Sequence, residues 1–358
     1  MKEVDTRPTS EGEALVSPAN RLAYLGLAPP EVGEITSVAP GVHWLRMPLP
    51  MELDHINLWL LEDHDGFVLI DTGLDCEPAR KAWERLEREV LARRPLKRIV
   101  LTHLHPDHAG LAAWLQARHG VPVWASHPTD QQIGALLTPL AAHEIAERTS
   151  FFVSHGVHNP SEIGNVLRGD RYRTVVSGRP SIAHWPDDRE QVHWGGRAWQ
   201  FIETAGHATG HLCLHCPERH LLVSGDQILP TISPNVSLTA WSPDPNPLAS
   251  FLASLERLMQ LDPETLVLPS HGRPFRGLQA RAADLRAHHE QHLARLIEAC
   301  ATPLTAYETL RVMFRRSLRG FHQFLALGEA IAHLEYLAAA GPLSRAIDAQ
   351  GVIRFQRT

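Results

Sequence analysis

The stretch Thr102-His103-Leu104-His105-Pro106-Asp107-His108 decides how the rest of this chain is read. It packs three histidines and an aspartate into six positions, and with 23 histidines among 358 residues chance is a weak explanation. Histidine is the commonest metal ligand, and carboxylate complements it around borderline cations. The setting suits that role. Arg98–Leu101 is a short β-branched run that reads as a buried strand, and Asp107 reads as the N-cap of a helix over 108–118 closed by Gly120. A loop between a rigid strand and a helix start can aim all four side chains into one cavity.

Working outward, Val42–Leu49, Ile56–Leu61 and Phe67–Ile70 read as strands, the third ending at Asp71-Thr72-Gly73. A charged amphipathic helix over Glu77–Arg94 follows and stops at Pro95. Beyond the motif, Val121–Ala125 is a strand, and residues 127–186 mix helical patterns (Asp130–Arg148, Ser161–Leu167) with loops. Strand patterns return at Val192–Trp194, Trp199–Glu203, Leu212–Cys216 and His220–Ser224, then a helix at Leu248–Leu261 and a strand at Thr265–Leu268. After Gly272 the chain is mostly helical (Leu278–Ala299, Thr305–Arg315, Gln323–Ala340) and ends in a small hairpin at Ala346–Phe355. Residues 1–36, acidic and proline-bearing, read as an N-terminal arm with at most one short helix.

Three isolated candidates stand at the C-terminal ends of predicted strands: His207 after Thr204-Ala205-Gly206, Asp226 after Ser224-Gly225, and His271 after Pro269-Ser270. Neighbouring glycines permit the sharp turns that would bring them inward. Seven N/O ligands without cysteine can hold two borderline cations, with a carboxylate available as a bridge.

This set resembles the metallo-β-lactamase superfamily, in particular its dinuclear hydrolases with a glyoxalase II-like ligand set, over roughly residues 38–275. The resemblance implies an α/β, four-layer αββα fold. It makes 1–36 an arm, 37–275 the catalytic domain with 127–186 as a lid-like insertion, and 276–358 a helical, winged-helix-like C-terminal domain. It also implies the roles. His103, His105 and His207 would bind one metal, Asp107, His108 and His271 the other, and Asp226 would bridge them. Asp71 would orient the ligand loop from behind. Two divalent ions, zinc first with iron or manganese compatible, would turn a water into the nucleophile and polarise the scissile oxygen. Asp107 and Asp226 are the carboxylates expected at the reaction itself.

Composition narrows the partners. A net charge of −6 gives no global drive toward nucleic acid or acidic lipid. No apolar run approaches the roughly 20 residues of a membrane span, and the N-terminus shows no apolar signal core. Four scattered cysteines fit a reducing cytoplasm. Cys213 and Cys216 would face opposite sides of a strand, which argues against a redox pair. His211 reads as structural, and no phosphate loop or dinucleotide fingerprint is present.

The substrate is read from departures. Gln227–Asn235 lacks the basic and aromatic residues that glyoxalase II uses for glutathione, and Leu229 stands where acyl-homoserine lactonases place a tyrosine. The 127–186 segment would cover the cleft, with Phe151, Phe152 and His288 as candidate substrate contacts, against simple packing or solvated roles. The tail from 301 carries seven arginines against four acidic residues, a weak balance for nucleic acid, so packing or homodimer formation outweighs it. The leading expectation is hydrolysis of a small-molecule thioester or ester, acyl-CoA included. The alternatives are a single-strand-specific ribonuclease, a lactonase, or a regulatory module that keeps the metals and binds a metabolite.

Overall fold

A computed structural model describes residues 22–315 and 318–358. The part of the expected arm before residue 22 lies outside the described residues.

Two seven-stranded sheets pack face to face with helices outside. The first runs Ile35–Ala39, Val42–Pro48, His55–Asp63, Gly66–Ile70, Leu96–Val100, Val123–Trp124, Ile182–His184 in spatial order. Its first four strands are antiparallel and the rest parallel. The second runs Ala23–Tyr24, Phe275–Arg276, Leu266–Pro269, Leu221–Gly225, His211–Cys216, Arg197–Thr204, Gln191–Trp194.

The strands are apolar on both faces because both faces are covered. In Val42–Pro48, Val42 and Trp44 point between the sheets, while Leu45 and Met47 point to the outer helices Glu77–Leu86 and Ala112–His119. Trp44 stacks on Trp59 at 6.2 Å in the inter-sheet layer. Each such fully buried side chain contributes roughly 1.5–3 kcal/mol. Cys213 packs under the outer helices and Cys216 between the sheets, so the two thiols do face opposite ways. The second sheet is covered by Pro247–Leu258, Leu278–Ala299 and Gly320–Ala340. Residues 276–358 place Ala306–Met313, Gly320–Ala340 and a hairpin (Leu343–Ile347 with Ile353–Arg357) against this layer.

Several elements depart from expectation. Residues 22–36, expected as an arm with at most one short helix, are tied to the sheets by strand pairing. Ala23–Tyr24 pairs with Phe275–Arg276, and Ile35–Ala39 pairs with Val42–Pro48. Both are edge strands: the partner of Ala23–Tyr24 lies about 250 residues away, beyond any short-range pattern, whereas Ile35–Ala39 forms a hairpin with the strand that follows it. The insertion likewise ends in an edge strand of the first sheet, since Ile182–His184 pairs with Val123–Trp124. Pro139 divides the expected 130–148 helix into His127–Leu137 and Ala142–Ser154.

The helix after the motif starts earlier than expected. His105 occupies the N-cap position, Pro106 the first turn, and Asp107 lies inside the helix rather than capping it. Proline suits that first position because its missing N–H would have no partner there. The helix breaks at 110–111 and resumes as Ala112–His119. Gly110 allows this close packing, because a Cβ there would lie 2.7 Å from the Gly73 carbonyl oxygen.

Candidate metal centre

The strand ends at one edge of the two facing sheets carry the candidate residues. His103 follows Leu96–Val100, His207 follows Arg197–Thr204, Asp226 follows Leu221–Gly225 and His271 follows Leu266–Pro269. The structure brings all seven together in two groups. Donor atoms of His103, His105, His207 and Asp226 lie within 4.8 Å of one another, and so do those of Asp107, His108 and His271. Asp226 stands between the groups. Its Oδ2 is 3.5 Å from His207 Nε2, while Oδ1 is 3.4 Å from His108 Nε2 and 3.5 Å from His271 Nε2. Asp107 Oδ2 is 3.4 Å from His271 Nε2.

Four of the five imidazoles are oriented from behind. A carbonyl oxygen can only accept, so His271 Nδ1 donates to His55 O (2.8 Å) and His207 Nδ1 donates to Asn235 O (2.9 Å). Both therefore turn Nε2 into the site. Asp71 does the same for His108, accepting from its Nδ1 at 2.7 Å. The Asp71 carboxylate also accepts from Thr102 N and Thr102 Oγ1, each at 2.7 Å. These bonds hold Asp71 at φ 62°, a conformation that costs a non-glycine residue energy. Thr102 Oγ1, having given its proton to Asp71, accepts from His103 Nδ1 at 3.0 Å, which leaves His103 Nε2 bare.

That arrangement tests the fit for cations. His103 Nε2 meets His207 Nε2 at 3.3 Å and His105 Nδ1 at 2.8 Å, so three imidazole nitrogens crowd around one point. His108 Nε2 and Asp226 Oδ1 are buried without a hydrogen-bond partner. A cation in each group would satisfy all of these atoms, and the donor set fits.

The electrostatics agree. Burial, with neighbouring imidazoles, holds His103 well below its ordinary value and His105 down to about 3, so both are neutral. Burial alone would raise the carboxylates, but His108 and His271 outweigh it. They hold Asp107 down to about 2 and Asp226 well below the carboxylate range. Burial would lower His108 and His271, but Asp226 and Asp107 raise both, His271 to about 10, so a cation entering the second group would displace their Nε2 protons.

His211, read as structural, is so placed. It is fully buried, accepts from Asp226 N at 3.2 Å through Nε2, and meets Thr204 Oγ1 at 3.0 Å through Nδ1.

A cavity of about 330 Å³ opens beside this centre, with His105 and His207 in its wall. Leu104, Leu136, Val175, Trp241, Phe321 and Phe324 supply apolar wall. Arg148 lies 4.2 Å over the Trp241 ring and Arg171 lies 4.6 Å over the Phe321 ring; both arginines also line it. Tyr172 Oη donates to the Leu104 carbonyl at 2.7 Å, tying the insertion to the motif loop.

The expected substrate contacts are elsewhere. Phe152 is fully buried in the core against Trp241 and Phe324, and Phe151 packs on the same core. His288 sits on Leu278–Ala299 beside His292, away from the cavity wall. The true wall residues come from the insertion, from 235–247 and from Gly320–Ala340. Nothing in the local pattern at Phe324 or Trp241 marks them, because side chains far apart in sequence build that wall. Asn235 and His55 carry no mark in the sequence, since each acts through one backbone carbonyl, and Thr102 acts through a hydroxyl shared among Asp71, His103 and His108.

Residues 51–271 match the family described as Metallo-beta-lactamase superfamily, and residues 293–358 match Metallo-beta-lactamase-like, C-terminal domain. The chain belongs to the metallo-beta-lactamase superfamily. Among solved structures, this metallo-hydrolase is similar to a beta-lactamase domain protein from Burkholderia ambifaria. That match has 38% identity and a TM-score of 0.87, covering 95% of this chain and 99% of that one. It is 27% identical to "Probable metallo-hydrolase YqjP" of Bacillus subtilis over 82% of this chain and 91% of the relative. It is 26% identical to the human acyl-coenzyme A thioesterase MBLAC2 over 67% of this chain and 81% of the relative. Among the described residues, no helix is long and apolar enough to cross a membrane.

Proposed function

We propose that this chain is a dinuclear metal hydrolase that cleaves acyl thioesters, with acyl-CoA as the substrate class. The observation that carries this reading is the apolar cavity that opens at His105 and His207 with two arginines in its wall. Its volume of about 330 Å³ sits at the small end of small-molecule sites, roughly 300–1,000 Å³. The resemblance to an acyl-CoA thioesterase supports the same class.

His103, His105 and His207 would hold one ion, Asp107, His108 and His271 the other, and Asp226 would contact both. Bound there, two divalent ions supply Lewis-acid activation of water and of the scissile carbonyl. The chain's own groups do the remainder. Asp107, held ionised, accepts a hydrogen bond from the attacking water through Oδ2 and orients it. Asp71, through His108 and Thr102, fixes the motif loop so that little reorganisation is needed. Leu104, Leu136, Phe324 and Trp241 bury the acyl chain and keep bulk water from it. Arg148 and Arg171 present guanidinium groups to the phosphates of the thiol half, which suit their planar donors. Tyr172, whose phenol burial raises further, stays protonated and positions Leu104.

Thiol release from acyl-CoA esters of increasing chain length tests the proposal, with His103→Ala as control. Turnover that disappears in the variant is expected. A metal-loaded chain that releases thiol from no acyl-CoA would sink it.

A further inference from the structure

A second kind of metal-ligating cluster lies in the helical layer, away from the strand ends. His289 stands on Leu278–Ala299, and Glu329 and His333 stand one turn apart on Gly320–Ala340, hence on one face of that helix. Each offers one donor atom, and the three atoms lie within 4.8 Å of one another. His333 Nδ1 donates to the Glu329 carbonyl oxygen at 2.7 Å, which leaves Nε2 bare. That Nε2 lies 3.0 Å from His289 Nδ1, which can donate to it.

Protein groups alone do not satisfy this cluster. His289 and His333 are fully buried, yet His289 Nε2 and the neighbouring His292 Nδ1 have no hydrogen-bond partner. The Glu329 carboxylate meets the Asn235 amide only at a long 3.4 Å. Burial pushes the Glu329 carboxyl up to about 7 and the His333 imidazole down to about 4. A carboxylate in the interior is expensive unless a cation pairs with it. Neutral imidazoles are in the state that binds metal.

We propose that His289, Glu329 and His333 form a further metal site, a structural zinc site that staples the two C-terminal helices together. Two imidazoles and one carboxylate are a zinc donor set, and the carboxylate offsets part of the charge. His292, its ring 5.7 Å from that of His333, packs beside this group of three. The staple reaches the centre at the strand ends. Glu329 holds Asn235, whose carbonyl oxygen receives His207 Nδ1. This last consequence, unlike the site itself, rests on His207 being a ligand.

The probe is zinc alone, counted by mass spectrometry on the full chain after dialysis. Glu329→Gln, nearly isosteric, and His333→Ala are each expected to carry one zinc fewer per chain than the unsubstituted protein. The same single loss is expected when either is made in a His103→Ala background. Equal zinc content with and without these substitutions overturns the site and leaves a hydrogen-bonded histidine pair in the core. Should His333→Ala fail to fold, the Glu329→Gln count alone decides.

Discussion

The strand-end rim and the cavity beside it are built on opposite plans. The rim takes its seven candidate ligands from the loops and the short helix that follow the strand ends of two rigid sheets, and four of its five histidines are held by a group behind them: Asp71, Asn235, Thr102 or the His55 carbonyl. The cavity takes its wall from the insertion, the 235–247 loop and Gly320–Ala340, which meet only in the folded chain. The difference teaches where tolerance lies. On the proposed function, displacing a rim atom should remove the chemistry, whereas reshaping the wall should change what is processed.

The rim should give the largest effects. His103→Ala or Asp226→Ala is expected to lower kcat/KM for thioester hydrolysis by about a thousandfold or more, with metal lost from the chain. Steady-state kinetics beside metal counting checks this. A variant keeping most of its activity would break the contrast between rim and wall. One layer back, Asp71→Asn keeps the size but weakens the bond that orients His108. Loss of such a supporting partner costs about 10–100-fold in metal affinity or activity, and a chelator competition titration reads it.

The wall should give selective effects. Phe324→Trp is expected to reduce kcat/KM for long acyl chains about tenfold while sparing acetyl-CoA. Arg148→Ala and Arg171→Ala should raise KM several-fold with kcat nearly unchanged, the mark of binding felt equally in ground and transition states. An equal loss on every chain length would mean that Phe324 only holds the core.

The smallest effect concerns Glu329, which joins the helical layer to the rim. Its native carboxyl lies near 7, above its ordinary 4.5, because it is buried. The native metal-free chain thus holds that proton more tightly than the unfolded chain does. The stabilisation is full below 4.5 and is lost as pH rises through 7. In chelator, the unsubstituted chain should lose a few degrees more of Tm between pH 5 and pH 8 than Glu329→Gln. Parallel melts at the two pH values measure it.

How legible each region was follows from the same contrast. The 103–108 motif, His207, Asp226 and His271 could be read because strand ends and their glycines leave local marks. Apolar runs buried on both faces, such as 56–61, announced the sheets. Ile182–His184 and Ala23–Tyr24 did not, because three-residue and two-residue strands depend on partners distant in sequence. Phe151 and Phe152 looked like a lid surface, yet an aromatic pair on a helix packs inward as readily as outward, and Phe152 packs inward. His333 gave no signal at all. Its partner His289 lies 44 residues away on another helix.

Anomalous X-ray scattering at the zinc edge, on crystals of the full chain grown with zinc, tests the dinuclear centre most directly. Two peaks are expected at the rim. One should lie among His103, His105, His207 and Asp226, the other among Asp107, His108 and His271, with Asp226 between them. A rim with no peak, or with a single peak at full zinc saturation, would contradict it.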